Sequence, residues 1–303
     1  MGGGEPEKKQ YATFIAHDWK NKVVAELSCD PRCIANYFTK SDLPFETTPA
    51  FFQPDVLIKY KSDPEKYEVK ERSITRRHAW HLQTYDINEA GQVHTYLIYL
   101  SRLPYQEQLY WKSFNEMPKA PISQRALATD FKGEFADFPN PLGELKRALL
   151  KLSNANVSWW KLRAPGLMER VHYPVTDGSE EWANEIFALD QLLVEGFNRA
   201  YFRAKAESFG CVIDPTWGSI RLIKEILIKR DVNSDEAEAI VNPLTEVHRL
   251  RSLMKGHPSG NRAATRAQLI KKHRSLKEHF RVLVAECGHA LNLLSEMMDK
   301  AIL

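Results

Sequence analysis

The chain has 303 residues, 43% hydrophobic and 27% charged, a balance that excludes a disordered chain and a length that suits two domains. A formal charge of +3 is too small to imply nucleic-acid binding by itself, and four scattered cysteines exclude a disulfide scaffold. No apolar run reaches the roughly 18 residues that a membrane helix needs and no secretory pattern opens the chain, so a cytoplasmic protein with no membrane partner is expected.

Residues 1–10 read as a disordered leader, and 11–139 as a β-rich module of short alternating runs punctuated by Pro, Gly, Asn and Asp. Its clearest unit is a predicted hairpin, Ala79–Ile87 and Gln92–Leu100, turning through Asn88, Glu89, Ala90 and Gly91. Asp86 and Asn88 near the tip do not make a calcium loop, because Leu97 occupies the twelfth position where Glu is required. Pro104–Asn115 reads as a short helix, and a Pro-rich connector leads to a domain boundary near Pro139-Asn140-Pro141.

Two constellations in this module have the residue types of metal chemistry. Asp55, with Glu68 and Lys70 after it, has the acids and lysine of a metal-dependent nuclease, but a polar run precedes Glu68 where such a site needs a buried strand. Cys29 and Cys33 with His78 and His81 have the ligand types of a zinc shell, yet a strand would turn the two imidazoles to opposite faces. Ordinary cysteines and half-exposed histidines are the simpler reading, so neither a metal nor a cofactor is expected.

From Asn140 to Leu303 the apolar period changes from two to about 3.6, which predicts an all-helical bundle and an α+β chain overall. Asn140-Pro141 caps a first helix through Leu142, Leu145, Leu149 and Leu152. The Trp159-Trp160 pair is expected to close a domain seam rather than stack on a base. Ser179 opens a predicted long helix through Trp182, Ile186, Leu189, Leu193, Phe197 and Tyr201, stopping at Gly210. Helices follow at Ser219–Arg230 and from Ser234 to a break at Asn242-Pro243. The last, from about Arg262 to Leu303, carries a heptad seam from Leu269 to Met297, either the core stripe of the bundle or a homodimer contact.

Between these lies Asn242–Gly260, read as a helix that starts at Asn242-Pro243 and stops at Gly256, with His257 just past its end. Arg251 and His257 can converge there, because Gly256 and Pro258 interrupt the helix. A second pair, Arg274 and His279, would diverge by about 140° on a continuous helix. Arg249, Lys255, Arg262 and Arg266 belong to a basic block reaching Arg281 that holds one acid, Glu278; it is either a phosphate path or a solvated face.

The helix count and the Arg, five residues, His spacing resemble the HEPN superfamily, over Asn140–Leu303 at most. That resemblance implies a four- or five-helix domain acting as a metal-independent endoribonuclease, with Arg251 and His257 catalytic and Arg249, Lys255, Arg262 and Arg266 binding RNA. It also implies a dimer that sets two motifs across one cleft, as in toxin and antiviral systems of bacteria. Ser252 follows the Arg where family members often have Asn, Asp or His. The alternative is a non-catalytic subunit that docks a partner protein.

Overall fold

Short β-branched and aromatic runs shape the first part of the chain and a 3.6-residue period the second, giving an α+β protein. The computed structural model describes residues 9–134, 139–255 and 260–300. The chain divides into two compact units, Met1–Phe138 and Pro139–Leu303.

In the first unit β1 (Thr13–Asp18) and β2 (Val23–Ser28) pair antiparallel from Thr13 opposite Ser28 to Asp18 opposite Val23. There follow β3 (Pro49–Phe52), α1 (Ile58–Lys61), β4 (Tyr67–Val69), β5 (Ile74–Arg76), β6 (Trp80–Leu82), β7 (Asp86–Ile87) and β8 (Val93–Tyr96). After them come α2 (Leu97–Ser101), α3 (Tyr105–Ser113), β9 (Asn115–Glu116) and α4 (Gln124–Ala126). One sheet runs β2-β1-β3-β8-β7 with β9 also on β3, and a three-stranded sheet runs β4-β5-β6. Phe14, Phe52 and Trp111 meet edge to face at 5.8 and 4.9 Å in the core.

The predicted hairpin is divided between these sheets. Of the predicted first strand only its end, β7, pairs with β8, Asp86 opposite His94, whereas β6 pairs with β5, Ile74 opposite Leu82. Trp80 and Leu82 are buried on one face of β6, and Tyr85 then leaves the sheet, donating its N–H to the Arg72 carbonyl at 2.9 Å. Leu97–Ser101 is helical rather than extended, burying Leu97, Leu100 and Ser101, a spacing of three and four. The buried Asp86 carboxylate accepts from Arg125 at 2.9 and 2.7 Å and from Ser123 at 2.8 Å. Burial works to raise its pKa, but the Arg125 hydrogen bonds hold it below the ordinary value.

The second unit comprises α5 (Pro141–Asn154), α6 (Leu167–Arg170), α7 (Ser179–Leu189), α8 (Arg199–Ser208) and α9 (Ser219–Lys229), then α10 (Ser234–Lys255), α11 (Gly260–His273) and α12 (Leu276–Asp299). Asn140 caps α5, its side chain accepting from the Gly143 N–H. One apolar core joins Leu145 and Leu149, Trp182 and Ile186, Leu222 and Ile226, Leu244 and Val247, and Phe280 and Leu283.

Three expectations are corrected here. No helix starts at Asn242-Pro243, because Pro243 lies inside α10. Buried Ala237, Ile240 and Val241 before it and Leu244, Val247 and Leu250 after it keep one apolar stripe continuous, and packing overrides the lost hydrogen bond. The long helix from Ser179 gives way to a π turn at Asp190–Val194 and restarts at α8, capped by Asn198. The last helix breaks where Arg274 takes φ 71°, and the Ser275 side chain then caps α12, accepting from the Glu278 N–H. Trp159 and Trp160 are both buried within the core of the helical unit.

The heptad seam faces the unit's own core, with Leu276, Phe280, Leu283, Cys287, Ala290 and Leu294 each no more than 2% exposed. No helix among the described residues is long and apolar enough to cross a membrane.

His279 is buried beside that seam and accepts a hydrogen bond at Nδ1 from Trp182 Nε1 at 3.1 Å. Burial pushes its pKa down to about 4, so between there and its ordinary value of about 6.5 the unfolded chain binds the extra proton. Stability present at pH 7 is therefore lost as the pH falls, by about 2 kcal/mol at pH 5. Urea unfolding at pH 7 and pH 5 is expected to show this loss. His279→Gln, which keeps an acceptor for Trp182, is expected to remove this share of the slope.

Candidate active site

The site of interest is built where the π turn meets α10. Residues five apart on an α-helix point about 140° away from each other. In a π turn, closed by an i to i+5 hydrogen bond, they lie nearly one above the other. The Glu195 N–H donates to the Asp190 carbonyl at 3.0 Å, and so two acids face the same side. Facing them on α10, His248 and Arg251 are three apart and share a face, while Leu244, Val247 and Leu250 bind the other face to the core.

Asp190 is fully buried and divides its two oxygens. Oδ1 lies 3.0 Å from His248 Nδ1, and Oδ2 lies 3.4 Å from Arg251 Nε. The second contact is ionic without being a hydrogen bond, since among the described residues neither atom has a hydrogen-bond partner. Arg251 also donates from Nη2 to Glu195 Oε1 at 2.8 Å, and its guanidinium lies 5.7 Å from the Phe187 ring centroid. Burial raises the Asp190 pKa, against the lowering exerted by His248 and then Arg251.

Exposure separates the roles. Asp190 is shut off from solvent, whereas the side chains of His248 and Glu195 are 50% and 32% exposed, with Arg251 between at 22%. A buried carboxylate thus orients an accessible imidazole through Nδ1 and leaves Nε2 to exchange protons, an arrangement suited to general acid–base chemistry. Beside it sits a cation able to stabilise an anionic transition state.

The end of the π turn is braced from outside. The Asn198 N–H donates to the Trp159 carbonyl at 2.8 Å and the Lys161 N–H to the Gly196 carbonyl at 2.9 Å. Trp160 Nε1 donates to the Leu193 carbonyl at 3.1 Å. Arg163 donates to the Glu195 carbonyl.

Of the residues singled out by sequence, Arg251 lies in this cluster, and His257 lies outside the described residues. Arg249 is paired with Glu246 at 2.7 Å, and Arg262 Nε donates to the Leu253 carbonyl at 3.0 Å, meeting an orphan acceptor at the end of α10. Lys255 ends α10. Arg266 is half-buried on α11, whose last turn is basic and exposes Lys271 and Lys272. The rival pair, Arg274 and His279, is set aside on different grounds from those expected: the helix breaks between them, and His279 is buried against Trp182.

The two metal-like constellations are not assembled. Cys29 is buried with Sγ 3.2 Å from Gln108 Oε1, while Cys33 is exposed. His81 Nδ1 bonds to Thr75 Oγ1 at 2.9 Å, and His78 sits at φ 60° outside the strands. Glu68 and Lys70 pair with each other at 3.2 Å, and Asp55 belongs to a short 3-10 turn. Among the described residues no group of three His, Cys, Asp or Glu side chains is placed to hold a metal ion.

Asp190, Glu195 and His248 are the residues that sequence reasoning missed. Asp190 interrupts the apolar run from Phe187 to Val194, and His248 and Arg251 share helical spacing; both signals stand in the sequence. No family model, curated protein or solved structure matches the chain.

Gly196 is required by the brace. A Cβ there would lie 2.3 Å from Trp160 Nε1, so Gly196→Ala must displace the indole or the turn. A loss of about 1–3 kcal/mol is expected in urea unfolding.

Proposed function

We propose that the helical unit is a HEPN-like, metal-independent endoribonuclease of the kind found in bacterial toxin and antiviral systems. The observation that carries this reading is the buried Asp190 carboxylate, which orients His248 with one oxygen and lies against Arg251 with the other. An oriented imidazole beside a guanidinium is what cleavage of RNA by its own 2′-hydroxyl needs. The imidazole moves a proton, and the cation stabilises the charge that builds on phosphorus. The basic α11, with Arg266, Lys271 and Lys272, supplies phosphate contacts. His257, the histidine of the spacing motif, is a further candidate of the same chemistry.

The second reading is a docking subunit without catalysis. It is favoured by Tyr37 and Phe38 of the N-terminal unit, whose rings meet edge to face at 5.5 Å although the residues are 67% and 91% exposed.

The test is incubation of the purified full chain with total RNA in EDTA. Cleavage is expected, and His248→Ala and Arg251→Ala are each expected to lower it by about 10²-fold or more without loss of helicity. Asp190→Asn is expected to keep the fold and lose a comparable factor, because the amide no longer imposes the tautomer that the carboxylate does. Cleavage that survives both His248→Ala and Arg251→Ala would remove this site from the reaction. Absence of cleavage, with stable binding of another protein that Phe38→Ala weakens, would establish the docking reading.

A further inference from the structure

We propose that Glu195 is the general base and His248 the general acid of this site, so that one chain holds both proton-transfer groups. The inference rests on the ribonuclease reading above and identifies the substrate as RNA carrying a free 2′-hydroxyl next to the scissile phosphate.

Transesterification of RNA needs two proton transfers, on opposite sides of the phosphorus. A base takes the proton of the 2′-hydroxyl as its oxygen bonds to phosphorus; an acid delivers a proton to the 5′-oxygen as the P–O5′ bond breaks. The products are a 2′,3′-cyclic phosphate and a 5′-hydroxyl, with no water consumed and no net change in protons. A single imidazole cannot stand on both sides at once.

The cluster contains a second accessible group. Glu195 is held by Arg251 through Oε1 at 2.8 Å, while its side chain is 32% exposed. An ionised carboxylate is an acceptor only and so takes a proton, whereas an imidazole tied at Nδ1 to Asp190 gives one from Nε2 when it acts as the doubly protonated imidazolium and is left neutral afterwards. Arg251 reaches both carboxylates, Asp190 through Nε and Glu195 through Nη2, so the cation stands beside the base and beside the carboxylate that holds the acid. The π turn makes this possible, since on a regular helix Glu195 would point about 140° away from Asp190.

This assignment differs from a site completed by a second copy, because base, cation and acid all come from Asp190–Glu195 and α10 of one chain.

The test uses the full chain, an unstructured single-stranded RNA and EDTA, with pH–rate profiles for the wild type, Glu195→Gln, His248→Ala and His257→Ala. The wild type is expected to release 2′,3′-cyclic phosphate ends with a bell-shaped profile. Glu195→Gln is expected to lower the rate by about 10²-fold or more and to lose the limb that falls toward acid. The amide still accepts from Arg251, so a merely positioning role for Glu195 would lower the rate and leave the shape of the profile unchanged, which would overturn the proposal. A mixture of Glu195→Gln and His248→Ala chains is expected to stay inactive, and restored activity would show that the site is shared between copies. Wild-type cleavage with Glu195→Gln within threefold of it would reject Glu195 while leaving the ribonuclease reading intact; loss in His257→Ala would then name the missing group. A wild type that does not cleave RNA would end both the reading and this inference.

Discussion

Everything at the candidate site depends on one buried charge. Asp190 has no solvent exposure, and an isolated carboxylate in that position would be costly enough to stay neutral or unfold the turn. Two cationic or potentially cationic side chains on α10 offset the cost, and they do so unequally. His248 makes a hydrogen bond at 3.0 Å, whereas Arg251 makes only an ionic contact at 3.4 Å. The guanidinium is therefore not saturated by Asp190, and its other edge is engaged by Glu195. The charge balance at this point thus links the π turn to α10, and neither element would present its side chains in this way without the other.

The surrounding core explains why the arrangement is rigid. Leu189, Leu192 and Leu193 around the π turn are fully buried, as are Leu244, Val247 and Leu250 on α10. Both elements are thus held by apolar packing on the faces opposite their polar residues. Trp160 adds a stop at the far end, its indole occupying the space that a side chain at residue 196 would need. The π turn ends α7 instead of continuing it, and packing and the Trp159–Lys161 backbone contacts hold it in place.

Much of the architecture was legible from pattern because periodicity reports which face is buried. The α5 stripe of Leu142, Leu145, Leu149 and Leu152 and the Asn140 cap follow from this directly. Pattern misleads where tertiary packing overrides a local signal or where a longer period masks one. Pro243 reads as a break in isolation, but its neighbours are buried on both sides and the helix continues through it. The Ser275 to Glu278 capping pattern was present in the sequence and marks the start of α12, yet the heptad spacing masked it by continuing across the gap. A π turn leaves almost no trace in composition, so the convergence of Asp190 and Glu195 could not be read from spacing.

The same charge balance constrains how an anionic substrate would be held. Arg251 faces two carboxylates, Asp190 and Glu195, so the inner cluster has no excess positive charge with which to attract a phosphate. For the reaction proposed, affinity must come from cations outside the cluster and Arg251 must act chiefly on the charge that develops in the transition state. Neither Arg249, engaged by Glu246, nor Arg262, engaged by a backbone carbonyl, is well placed to supply it. That leaves Arg266 on α11 and the exposed Lys271, Lys272 and Arg274 at its end, cations suited to tracking a phosphate backbone. Binding and chemistry are then carried by different side chains, and salt would weaken the first while leaving the buried Asp190 contacts little affected.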